Sequence, residues 1–143
     1  MFYLELNKDE IYKKFINFLL KQGKKSVAEK IMKGTLVFLE EKGYNPEEVI
    51  FSAIQNSCPL IEVRSRRQGR RAIQVPMPLS TKRQASLTLR WLVEGAQQRS
   101  ELTMSERLAG ELIASSKGQG HAVRKQLDMH KRAKASKAFA HLN

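Results

Sequence analysis

The chain has 143 residues, with 26 Lys plus Arg against 14 Asp plus Glu, a net charge of +12. At 41% apolar residues it is too hydrophobic for a disordered basic tail, and its length suits a single domain that buries about two-thirds of its unfolded surface. No apolar run exceeds four residues, as in Leu36–Leu39, far short of a membrane span, and a lone cysteine, Cys58, excludes an intrachain disulfide and a cysteine-based zinc site.

Met1–Leu6 is short and mixed and leads into an acidic helix start, so no export signal and no Arg-rich transit peptide are expected there. Five cap-plus-acid (or amide) pairs then punctuate the chain: Asn7/Glu10, Ser26/Glu29, Asn45/Glu48, Thr81/Gln84 and Thr103/Glu106. In each, the cap oxygen can accept an orphan backbone N–H while the residue three positions on reaches back. Helix one is expected over about Lys8–Lys21, with Ile11, Phe15, Phe18 and Leu19 on its buried face and Gly23 ending it. Helix two should run over about Ser26–Lys42, with Val27, Ile31 and Phe38 inward. Helix three should run from Pro46, at the favoured first helical position, to Ser57, with Pro59 beyond it.

The period then shortens. Leu60–Arg64 and Ala72–Val75 alternate apolar and polar residues and read as two strands, with turn chemistry at Gly69 and a stop at Pro76 and Pro78. Helix four is expected over about Thr81–Arg99, with Ala85, Leu89, Leu92 and Ala96 as its core stripe and Arg83, Arg90 and Gln97 as a polar stripe. Helix five should cover about Thr103–Ser115. After the Gly118-Gln119-Gly120 hinge, helix six should cover about His121–Ala138 and stay peripheral, having few large apolar residues.

The charge is segregated along this layout. Residues 1–60 carry nine Lys, no Arg and eight acids, a net of +1, whereas residues 61–143 carry seventeen cations and six acids, a net of +11. Every arginine lies in the second part, and arginine offers the planar fork that suits phosphate and stacks on bases. A charged run is ordinarily a solvated face, but segregation of this kind points to a polyanion-binding surface.

Catalysis finds no footing. The acids are expected mostly at caps or paired with nearby lysines. His121, His130 and His141 lack partners at metal-ligand spacing, no Ser or Cys sits in a nucleophile elbow, and no strand precedes Gly118-Gln119-Gly120. Cys58 and Trp91 read as buried packing residues. We therefore expect a non-enzymatic protein with no metal and no cofactor.

Binding residues are more legible. Arg64, Arg66, Arg67, Arg70 and Arg71 are five arginines within eight residues, a cluster that repels itself unless an anion neutralises it. An arginine-loaded two-stranded arm can enter a groove closed to a globular body, and Gln74 adds a hydrogen-bonding group on the returning strand. Lys82 and Arg83 open helix four, and Arg90 continues their stripe. Helix six presents Arg124, Lys125, Lys131, Arg132, Lys134 and Lys137 with Asp128 as its one acid. Lys24 and Lys25 mark the first inter-helix turn, as helix-end charges or further phosphate contacts.

Several segments, taken in order, resemble a known family. They are Phe15–Lys25, Asn45-Pro46, Pro59 with Glu62–Arg67, Gln74-Val75-Pro76, Leu89–Leu92 and Ala138–His141. Over nearly its whole length the chain resembles bacterial and organellar small-subunit ribosomal protein seven. The resemblance implies a mainly α, six-helix bundle-like domain over residues 1–143. A two-stranded β-ribbon, about 60–76, protrudes between helices three and four, and a basic C-terminal helix covers about 121–138. It also implies a primary binder of the 3′ major domain of small-subunit rRNA that nucleates head assembly. Exit-site tRNA, the mRNA exit path and neighbouring head and platform proteins would lie nearby, with no membrane involved. By position, Lys24, Lys25, Arg64, Arg66, Arg67, Arg90 and Arg132 are the implied rRNA contacts, with Arg70 and Arg71 facing tRNA or mRNA.

The chain departs from the family pattern in three places. Arg70 and Arg71 stand where small residues or glycine are usual, the customary basic N-terminal tail is nearly absent, and the chain ends Leu142-Asn143. The first two favour a mitochondrial ribosome over a plastid or bacterial one. The alternative from another class is a free DNA-binding or architectural protein that uses the ribbon as an arm.

Overall fold

A computed structural model describes residues 7–20 and 22–137. The elements run α1 (Lys8–Leu19), α2 (Lys25–Glu41), α3 (Pro46–Ser57), β1 (Ile61–Gln68), β2 (Arg71–Pro78), α4 (Thr81–Gln97), α5 (Met104–Ser116) and α6 (His121–Ala135). The fold is mainly helical, with one antiparallel hairpin between the third and fourth helices. The expected ends of helix one at Lys21 and helix six at Ala138 lie outside the described residues, as does the family-like ending Ala138–His141.

Three of the five expected caps form as side-chain caps. Asn7 and Glu10 close a reciprocal box, Asn45 accepts the Glu47 N–H rather than that of Glu48, and Thr103 accepts that of Glu106. At the start of α4 the cap is Ser80, one residue before the expected Thr81, and its Oγ accepts the Arg83 N–H. Ser26 does not cap α2: the helix already begins at Lys25, and Lys24 at its N-cap makes no side-chain bond.

The buried face of α2 is also corrected. Ala28, Met32, Thr35 and Leu39 face inward, while Val27 is half-exposed and Ile31 and Phe38 lie on the flank. Both stripes satisfy helical spacing, and packing against α1, α3 and α5 together decides between them. A Cβ on Gly34 would stand 2.5 Å from Ser105 Oγ, so this glycine lets α2 and α5 approach closely along the edge it shares with Ile31 and Phe38. Ser105 Oγ and Thr35 Oγ1 both donate to the Ile31 carbonyl, which satisfies two hydroxyls where the helices meet.

Helix α5 is the centre of the molecule and packs against α2, α3, α4 and α6. Its Leu108 and Leu112 join Phe15, Leu39, Ile54, Leu89 and Leu92 in a fully buried cluster. The expected core stripe of α4 is buried throughout, and Trp91 and Cys58 are buried as read. Burial pushes the Cys58 thiol above its usual range. Helix α6 buries Ala122, Val123 and Ala133 and remains at the edge, against α4 and the ribbon base. Gly120 precedes it and offers no capping side chain, so buried Glu111 of α5 accepts the Ala122 N–H instead. Gly95 is required beside it, because a Cβ there would stand 2.6 Å from the Glu111 carboxyl.

Candidate nucleic-acid interface

The ribbon is longer than the sequence alone suggests. Its ladder runs from Ile61 opposite Pro78 to Gln68 opposite Arg71, so the arginine-rich stretch is strand and not loop. Gly69 has φ +63° at the first central position of the two-residue connection, the position where a type II′ hairpin turn demands glycine. Pro76 lies within β2, and the strand ends at Pro78. Residues two apart point their backbone nitrogens the same way, and the Leu79 N–H bonds to Leu60 O, so the two prolines face the open edge.

Register divides the arginines. Residues directly opposite share a face, so Glu62, Arg64, Arg66 and Arg71 lie on one side with Met77, Val75 and Ile73. Arg67 lies on the other side with Ser65 and Gln74, and Arg70 occupies the turn. The five arginines therefore do not form a single patch. Gln74 Nε2 donates to Ser65 Oγ at 3.0 Å and ties the strands together. Residues 64–72 are all exposed, whereas Val75 is fully buried and anchors the base.

A cationic line leads away from that base. Arg83 of α4 and Arg64 of β1 both pair with the buried carboxylate of Glu62. Lys82 is exposed next to Arg83. One stripe further along α4, Arg90 is exposed and its guanidinium lies 5.7 Å from the centre of the Phe18 ring. Gln97 ends the stripe in a groove that also holds Lys24 and Arg107. The turn between α1 and α2 thus meets the far end of the α4 stripe, with Lys24 and Lys25 both exposed. Arg107 was not among the sequence candidates. Its Nε and Nη2 donate to the carbonyls of Glu101 and Leu102, which fixes it beside Lys24.

Helix α6 supplies a separate cationic surface. Arg124, Lys125, Lys131 and Arg132 are exposed opposite the buried alanines, and among the described residues none of them pairs with a carboxylate. Lys134 and Lys137 flank the ribbon base, where they line an apolar groove of about 470 Å³ with Ile61, Pro76 and Met77. His130 Nε2 accepts the Leu60 N–H at 3.0 Å, which attaches α6 to the start of the ribbon. The expected pairing of acids with lysines is mostly not seen. Among the described residues only Lys8 and Glu47 make such a pair, while Glu62, Glu101 and Glu111 serve arginines and a helix end.

Residues 4–137 match the family model described as ribosomal protein S7p/S5e. The chain belongs to the ribosomal protein S7p/S5e family. Small ribosomal subunit protein uS7 of Hyphomonas neptunium is 48% identical over 135 residues, covering 94% of this chain and 86% of the relative. The protein of the same name from Alkalilimnicola ehrlichii is 46% identical over 133 residues, covering 92% and 85%. That of Caulobacter vibrioides is 46% identical over 135 residues, covering 93% and 86%. These relatives are bacterial and lend no support to the mitochondrial expectation. Family membership gives the exposed cations a common context that charge alone could not supply.

Proposed function

We propose that this S7-family chain, over residues 1–143, is a structural constituent of the small ribosomal subunit that binds the 3′ major domain of its rRNA during head assembly. The observation that carries the reading is the exposed line from the ribbon through Arg83 and Arg90 to Lys24, formed by three elements whose relative positions the core fixes. Lysine and arginine along such a line neutralise phosphates, release counterions and hold a junction of RNA helices in one geometry. Helix α6 adds Arg124, Lys125, Lys131, Arg132, Lys134 and Lys137 as further phosphate-binding groups. Base-paired segments are read by shape, since the deep groove of A-form RNA admits no side chain. Arg70 and Arg71, at the solvated tip, are the groups proposed to meet exit-site tRNA or mRNA, and neighbouring head and platform proteins complete the surroundings. Chemistry on a substrate has no part in this role.

Sedimentation of cell extract through a gradient tests it. The chain should travel with small subunits and stay with them in high salt. Recovery only as free protein, or on DNA, would overturn the reading in favour of a DNA-binding arm.

A further inference from the structure

Glu62 is the one acidic residue between Glu48 and Glu94, and it stands at the root of a ribbon that carries five arginines. An acid beside a polyanion-binding surface repels the partner, so its position calls for an explanation. Burial supplies the first part. The Glu62 side chain is 8% exposed, whereas those of Arg64 and Arg83 are 58% and 45% exposed. Geometry supplies the second. Glu62 Oε1 accepts from Arg64 Nε at 2.8 Å, and Oε2 lies 3.5 Å from Arg83 Nε. The carboxylate is thus shared between two guanidiniums from different elements, one on β1 and one in the first turn of α4. Both are engaged through Nε, so the carboxylate leaves their terminal Nη groups to a ligand.

We propose that Glu62, Arg64 and Arg83 form one preorganised site for a single RNA phosphate, with Glu62 as its positioning residue. The proposal rests on the RNA-binding reading above and specifies how one part of that surface works. Two guanidiniums this close repel each other, and each long side chain is costly to order at the moment of binding. Glu62 offsets the repulsion and orders both chains before RNA arrives. The three side chains carry a net charge of +1, which matches one phosphodiester, and the two sets of Nη donors match its two non-bridging oxygens. The site exists only in the folded protein, because its arginines are nineteen positions apart in sequence.

Binding of purified bacterial small-subunit rRNA, measured across a salt series, provides the test. Glu62→Gln keeps the shape and removes the charge. It should weaken binding by at least about fivefold, the lower end of the ordering cost of two arginine side chains, and leave the salt slope unchanged. In an Arg64→Ala/Arg83→Ala background the same change should have no further effect. Coulomb repulsion alone predicts the opposite sign, so a Glu62→Gln protein that binds as tightly or more tightly overturns the proposal. An equal loss in the double-arginine background overturns it as well, because Glu62 would then act through the fold. Should Glu62→Gln fail to fold by circular dichroism, the arginine variants decide alone. A shared site predicts that losing either arginine costs nearly as much as losing both, and additive losses refute it. Failure of the unaltered protein to bind rRNA would remove the broader reading, whereas binding that these variants leave untouched removes only this site.

Discussion

Charged residues in this molecule are divided by what they touch. Arg99 donates to Glu101 through Nε and Nη2, and Arg107 takes the carbonyls of Glu101 and Leu102, so two arginines hold the loop between α4 and α5. The hydrogen bond from Arg99 holds the Glu101 carboxyl below its ordinary value of 4.5. A depressed folded pKa gives stability that is full above the ordinary value and lost as pH falls through the lower folded one. Glu101→Gln should therefore melt below the unaltered protein near neutral pH, with the gap closing as pH drops below 4.5. A gap independent of pH would show that the carboxylate charge is not what holds the loop. Counting cations along the sequence could not separate Arg99 and Arg107 from Arg90, since only their partners differ.

The ribbon and α6 differ in how their elements carry charge. In the ribbon, the base is buried through Val75 and the arm beyond it is solvated, so the tip can change without disturbing the core. Replacing Arg66, Arg67, Arg70 and Arg71 by Ala should leave the melting temperature unchanged. The slope of log affinity against log salt should fall by roughly 0.7–0.9 for each phosphate that is no longer neutralised. An unchanged slope on rRNA would assign these arginines to tRNA or mRNA instead. The alternation of Leu60–Arg64 and Ala72–Val75 revealed the strands, but Ser65–Arg71 has no apolar alternation and showed only turn chemistry at Gly69. Pairing across the ladder extended them, and its register placed Arg67 on the face opposite Arg64 and Arg66.

Across the whole molecule, α5 is what keeps the basic elements in register, because α2, α3, α4 and α6 all rest on it. Leu112→Ala should destabilise the protein by about 2–5 kcal/mol, a large share of the stability of a chain this size. It should weaken rRNA binding near the melting transition even though it removes no charge. Full affinity in a partly unfolded Leu112→Ala protein would mean that the elements bind independently of the core. In the sequence, the identity of the helices was legible because caps and 3.6-residue spacing are local. The inward face of α2 was not, because Val27, Ile31 and Phe38 fit a helix as well as Ala28, Met32 and Thr35 do, and packing against α1, α3 and α5 chose between them.

Local pattern and residue order were enough to reveal the mainly helical fold, the arginine-bearing hairpin, the segregation of +11 onto residues 61–143 and the family. Which cations act together was settled only by packing. Lys24 meets Gln97 and Arg107, Arg90 rests over Phe18, and Glu62 joins Arg64 to Arg83. Those groupings depend on distances of a few ångströms between residues far apart in the chain, and only the closed core sets such distances.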